Sequence, residues 1–305
     1  MRHFTIRHLG KYLICAMLVM NLALAFPAAS RASELKAIVL IEKSIKVYDS
    51  ALNGFRSVCN AGITEFEVGT QNAPEFYKTK PSFIVAVGGD ALAEAEKSGH
   101  DVPIIYVMVL DPQIPPGVPA TGVGLTVSFD DQFRELSRVL PSARRIGVLY
   151  TPRLTGTLFE AARKAAEARG LVLVGRAITS DDGTVSALNE MRGKIDVLWM
   201  LPDTAILRYD TVKYFMLYSF ENKIPIFALS GKYVENGALM ALDIDPFDMG
   251  RQAGEMANEL LAGKSIQSIP PRHARRWRLV LNLSTARKMG IRVPGDVLRG
   301  AVEIR

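Results

Sequence analysis

Phe83-Ile-Val-Ala-Val-Gly-Gly-Asp90 sets five apolar residues in a row and then turns on two glycines and an aspartate. A run without polar alternation fits a strand covered on both faces, as in a parallel sheet, and Gly88-Gly-Asp90 fits the turn into a following helix. Outward from this stretch, Ile38-Val-Leu-Ile41 precedes it across a helical run, and Val102-Pro-Ile-Ile-Tyr106 follows it after another. The second half repeats the order with Ile146-Gly-Val-Leu-Tyr150, Val197-Leu-Trp-Met-Leu-Pro-Asp203 and Ile224-Pro-Ile-Phe227. The spacing agrees: Asp90 follows Ile38 by 52 positions, and Asp203 follows Ile146 by 57. Each half therefore reads as a β-α-β-α-β unit able to wind its own parallel sheet, so the expected class is α/β with two Rossmann-like lobes.

The N-terminus carries Arg2, Arg7 and Lys11, then an apolar run over 12–26, then Pro27-Ala-Ala-Ser-Arg-Ala32. This is the pattern of a secretory signal peptide ending at residue 32, and the run falls short of the roughly 20 residues that span a bilayer. The expected mature protein is exported to the periplasm. The leader holds four of the 37 Lys and Arg residues and no acid, which leaves 33 basic against 31 acidic side chains. Nothing in that balance calls for a nucleic-acid partner. The cluster Arg272-His-Ala-Arg-Arg-Trp-Arg278 reads either as a solvated edge or as a docking surface. Of the two cysteines, Cys15 lies in the leader and Cys59 on a helical face, so no internal disulfide is expected.

Turn residues then place the elements. Gly62 ends a helix over 47–60, Asp90 is expected to cap one over 91–97, and Gly170 ends one over 158–169. Further helices are expected over 130–140, 183–191, 204–222 and 284–289. Four prolines and a glycine between Pro112 and Pro119 forbid regular structure. Extended stretches at 121–124, 238–244 and 278–283 read as three crossings of a shared hinge. The expected lobes are then 33–120 with 245–277, and 121–244 with 278–305.

In open α/β sheets, ligands sit beyond the carboxyl ends of the strands. That rule selects Ser44, Tyr48, Gly89, Asp90 and Asp111 on the first lobe, and Tyr150, Asp203, Thr204, Ser230 and Asp243 on the second. Free amides at the glycines and Thr204 suit a carboxylate or phosphate, while Asp90, Asp203 or Asp243 suit an ammonium. Helix capping is the plainer reading of Asp90 and Asp203. Tyr48 and Tyr150 could stack on a planar ligand, whereas Trp199 and Phe227 read as core. Catalytic signals are poor: His100 and His273 stand far apart, and no G-x-S-x-G elbow or P-loop occurs. No cofactor, metal or enzymatic activity is expected.

Arg145-Ile-Gly-Val-Leu-Tyr-Thr-Pro152, Leu201-Pro-Asp-Thr204, Glu235-Asn-Gly-Ala-Leu239 and Gly250-Arg-Gln-Ala-Gly-Glu-Met256 together resemble the ABC-transporter substrate-binding family that includes tryptophan/tyrosine-type uptake proteins. Val280-Leu-Asn-Leu-Ser-Thr-Ala286 and Lys288-Met-Gly-Ile-Arg-Val-Pro294 are similar to its C-terminal end. The resemblance implies a type I periplasmic-binding-protein fold, two lobes with a three-stranded hinge, and delivery of a small ligand to a membrane permease. The pairing of free amides with aspartates at the strand ends suggests a small polar ligand, an amino acid or similar zwitterion, and a monomer is expected. The same fold could serve a ligand-sensing subunit without a permease, or an exported enzyme. Two stretches depart from the family: Asp111-Pro112 runs into Gln-Ile-Pro-Pro-Gly-Val-Pro119 instead of a longer glycine-rich segment, and Pro202-Asp-Thr-Ala205 replaces Pro-Asp-Asn-Thr.

Overall fold

The computed structural model describes residues 36–69, 76–99, 101–180 and 183–304; the expected leader and His100 lie outside them. The first repeat forms β1 (Lys36–Ile41), α1 (Lys46–Arg56), β2 (Gly62–Glu67), β3 (Phe83–Val87), α2 (Gly89–Lys97), β4 (Ile104–Val109) and β5 (Ala120–Gly124). The second forms α3 (Phe129–Val139), β6 (Arg145–Tyr150), α4 (Pro152–Glu167), β7 (Val172–Ala177), α5 (Gly183–Met191), β8 (Val197–Trp199), α6 (Tyr209–Asn222), β9 (Ile226–Ala228), α7 (Gly231–Glu235) and β10 (Met240–Ile244). The chain then adds α8 (Pro246–Leu261), β11 (Arg272–His273), β12 (Trp277–Asn282), α9 (Leu283–Met289), α10 (Gly295–Leu298) and β13 (Val302–Ile304).

Two sheets result. The first runs β11-β5-β4-β3-β1-β2 with every pairing parallel, and the second runs β13-β12-β10-β9-β8-β6-β7, parallel except where β12 meets β10. In the first sheet, Val39, Val85 and Ile105 pack with Leu52 and Phe55 of α1 and Met249 and Met256 of α8, while Ile38, Ile84 and Ile104 pack on the other face with Leu92 of α2 and Phe76. Alternate residues of one strand thus serve two cores, which is why these strands read as unbroken apolar runs. The second sheet repeats this, with Ile146 and Val148 packed toward α3 and α4, and Leu149 and Leu198 toward α5 and α6.

Helix α8 reaches back across the sequence to close the first lobe. An added Cβ on Gly250 would stand 1.7 Å from the carbonyl oxygen of Ala51 in α1, and one on Gly54 would stand 1.9 Å from that of Phe247. The two helices meet backbone to backbone, a contact only glycine permits at these positions.

The chain passes between sheets in short links at 125–128, at Asp245 and at 274–276. The expected crossing strands are instead ordinary members of the sheets. β5 pairs with β4 in the first sheet, whereas the expected boundary at 120/121 gave it to the second lobe. The links are tied to one another and to α8: the Asp245 amide donates to the Arg276 carbonyl at 3.0 Å, and the Ala274 amide to that of Thr126 at 3.0 Å. Arg275 forms bidentate bonds with Asp248 at 2.9 and 3.1 Å and with Glu255 at 2.8 and 2.9 Å. Those bonds hold the Arg275 guanidinium above its ordinary range and pull Glu255 below its own. The basic cluster at 272–278 is accordingly matched in part by the acids of α8, with Arg272 also on Glu259 at 2.6 Å.

Other expectations change as well. Gly62 does not end α1, which stops at Arg56, but opens β2. Asp90 does not cap α2: the N-cap is Gly88, at φ 96°, and Asp90 sits in the first turn. Helix α4 starts at Pro152, whose missing N–H costs nothing there. Helix α6 starts only at Tyr209, because residues 203–206 are held in a turn by the Asp203 side chain. The tail over 291–305 also carries β13, paired with β12.

Candidate functional site

The strand tips of both lobes face a common cleft containing a cavity of about 300 Å³. Val47 and Leu110 enter it from the first lobe, Pro202, Leu229 and Asp243 from the second, and Leu125, Thr126 and Val127 from the first hinge link. That volume lies at the lower end of ordinary small-molecule sites. Its walls are largely apolar, with Gln132, Ser230 and Asp243 among the few polar groups. Gln132 is fixed at both ends of its amide: Nε2 donates to the Val127 carbonyl at 2.8 Å, and Oε1 accepts from Trp199 Nε1 at 2.9 Å. It joins the first hinge link to the core of the second lobe.

Asp243, next to last in β10, stands opposite Arg278 of β12. Its Oδ1 accepts from the Gly231 amide at 3.1 Å, while Oδ2 lies 3.9 Å from an Arg278 guanidinium that is 73% exposed. The carboxylate is thus held by one bond and keeps acceptor capacity toward the cavity it lines.

Asp203 behaves oppositely. It is 1% exposed; Oδ2 accepts from Thr155 Oγ1 at 2.6 Å and the Thr151 amide at 2.7 Å, and Oδ1 from the Ala205 and Ile206 amides at 3.0 and 3.2 Å. Four donors occupy it, so this carboxylate shapes the loops after β6 and β8. Its neighbour Thr204 is exposed.

The structure gathers a second group on the first lobe. Gly88 has no room for a side chain, since an added Cβ would stand 2.6 Å from the Tyr48 ring. Burial, then the charges of Glu42 and Asp90, push the Tyr48 phenol above its usual range. Ser44 is tied to Glu42 at 2.6 Å, and Gly89 and Asp90 are exposed. At the tip of β4 the backbone is strained: Met108 and Asp111 adopt φ of 60° and 50°, next to a register shift between Val107 and Val109. Such conformations cost of order 1–3 kcal/mol each and concentrate at binding sites. Burial raises the Asp111 carboxyl above the ordinary carboxylate range; a bond from Gln113 opposes the rise, and the Asp203 charge on the other lobe adds to it.

Of the expected residues, Ser230 and Asp243 line the cavity, while Leu110 and Pro202 bring Asp111 and Asp203 beside it. Tyr150 is taken up by packing: its ring stacks on Phe159 at 4.2 Å and 3°. The apolar lining was not singled out from the sequence. Its one signal is position, because Leu110, Leu125 and Leu229 each follow a strand end directly. Among the described residues no group of three His, Cys, Asp or Glu side chains could hold a metal ion, and no helix is long and apolar enough to cross a membrane.

Residues 59–305 match the family described as ABC transporter substrate binding protein. A tyrosine-binding protein of Clostridioides difficile (strain R20291) is 28% identical over 227 residues, which cover 71% of this chain and 65% of that protein's length. A ligand-free, open substrate binding protein with adhesive properties from Clostridium difficile superposes with a TM-score of 0.66 at 22% identity, over 88% of this chain and 98% of the other. An ABC domain in complex with L-Trp from Streptococcus pneumonia gives 0.62 at 22% identity, over 90% and 100%. Likenesses at this identity speak for the fold, which is that of the type I periplasmic binding proteins. With the family match spanning most of its length, the chain belongs to the ABC transporter substrate binding protein family.

Proposed function

We propose that this protein binds an amino acid with an apolar or aromatic side chain between its lobes and hands it to the permease of an ABC transporter on the outer side of the membrane. The observation that carries this reading is the cleft cavity: apolar walls contributed by both lobes, with the Asp243 carboxylate beside Ser230 at one side. Apolar walls suit the side chain, and a carboxylate with spare acceptor capacity suits an ammonium. Tyrosine and L-Trp, named for two of the similar proteins, have this chemistry. Ligand contacts to both lobes exist only in the closed state, and that difference is what drives closure. Binding without chemical conversion accords with a site of this make-up, and export to the periplasm accords with the N-terminal pattern.

The test is thermal denaturation of the purified protein against the twenty amino acids. A true ligand at about a hundredfold excess over Kd stabilises by about 2.7 kcal/mol. Tyrosine and tryptophan should stand above the charged amino acids in the shift they cause. A flat response across the whole panel overturns the reading.

A further inference from the structure

The second lobe carries an apolar face that its own core covers only in part. Helix α6 is apolar on two sides: Phe215 and Tyr218 enter the core, while Tyr209, Leu217 and Phe220 are 74%, 53% and 38% exposed. At helical spacing, Tyr209, Val212, Met216 and Phe220 form one stripe along its flank. Helix α7 completes a groove of about 690 Å³ beside that stripe. Its lining combines Tyr209, Val212, Met216 and Tyr233 with Lys213 and Lys232, and it contains no carboxylate. Lys213 Nζ stands 4.5 Å from the centre of the Tyr209 ring. Ser230 lines both this groove and the cleft cavity, so the two share a wall.

We propose that this groove docks an acidic amphipathic segment of a partner protein, its apolar side chains filling the groove and its carboxylates meeting Lys213 and Lys232. Charge sign and shape select this occupant. The chain's own N-terminal segment carries Arg2, Arg7 and Lys11 and no acid, which is the wrong sign. A bilayer surface is flat on this scale and leaves a concave groove unfilled. A helix presenting apolar residues at i, i+3, i+4 and i+7 with flanking glutamates satisfies both the walls and the lysines. Identifying the partner as the permease rests on the transport reading above. Contact through Ser230 would then let that partner sense whether the cleft is occupied.

The experiment uses fluorescence anisotropy with a labelled helical peptide of leucines flanked by glutamates, its lysine-for-glutamate counterpart, and the purified protein. The acidic peptide should bind saturably and at least tenfold more tightly than the basic one, and Lys213→Glu with Lys232→Glu should invert that preference. Equal binding of the two peptides, or indifference to the charge reversal, overturns the proposal. So does sedimentation with vesicles of equal phosphatidylcholine and phosphatidylglycerol that the charge reversal abolishes, or a dimer that it dissociates. Amino-acid affinity measured on the same double variant should be unchanged. A protein that binds the acidic peptide yet no amino acid refutes the cleft reading and leaves the groove assignment standing.

Discussion

Thr155 Oγ1 donates to Asp203 Oδ2 at 2.6 Å, across 48 residues of sequence and with both side chains buried. Because the same carboxylate also holds three backbone amides, Asp203→Ala leaves several buried donors without an acceptor. The expected loss is about 3 kcal/mol or more in chemical denaturation, and Thr155→Val, which removes one donor, should cost about 1 kcal/mol. A ligand-contact role for Asp203 would instead show as lost affinity at unchanged stability.

Asp243→Asn should do what Asp203→Ala does not. Asparagine keeps an oxygen for the Gly231 amide but loses the charge that would meet an ammonium. Affinity for the amino-acid ligand, measured by calorimetry, should fall at least tenfold, with a Tm close to that of the parent protein.

Gly250→Ala should be among the most damaging small substitutions. The new methyl group would stand 1.7 Å from the Ala51 carbonyl oxygen, a rigid neighbour, so α1 and α8 would have to separate. A cost of about 3 kcal/mol, at the upper end for overpacking, is expected, and it should appear as a lowered denaturation midpoint. Ala253→Gly, in the same helix, should cost only about 1 kcal/mol plus its small loss of burial.

Asp111 gives a pH signature. Its carboxyl is raised in the folded protein, chiefly by burial, so folding favours the protonated form. The stability it contributes is full below the unfolded carboxylate range, near pH 3.9, and is lost as pH rises through the higher folded value. Asp111→Asn should therefore raise Tm at pH 7, and the gain should shrink as the pH is lowered toward 3.9. A gain independent of pH would assign the effect to backbone strain at φ 50° instead of charge.

The sheets were legible in the sequence for a physical reason: strands such as Phe83–Val87 pack on both faces, and a strand with two cores has no polar positions to blur it. The hinge was less legible. Thr121-Gly-Val-Gly124 has the extended, small-residue character of a crossing, yet whether such a segment crosses or pairs depends on what lies beside it, and here β4 does. The same holds at the cleft. Asp90 and Asp203 look alike as aspartates after a strand, but one is exposed and the other saturated by four donors, because only the second has Thr155 opposite it. Tyr150 offered a ring at a strand tip, and the partner that removes it, Phe159, is a neighbour on α4. The cavity walls themselves are leucines, valines and a proline, residue types that say nothing about ligands until the fold makes them converge.

The backbone contact between α1 and α8 also sets an order of events during synthesis. Residues 129–244 form an uninterrupted stretch of the second lobe, whereas the first lobe lacks its covering helix until residues 246–261 have been made. Until then α1 alone packs on that face of the N-terminal sheet, which lacks the contacts of Met249, Ala253 and Met256. If the chain is exported as proposed, a leading end left incomplete until nearly all of it exists would help it thread across a membrane before folding.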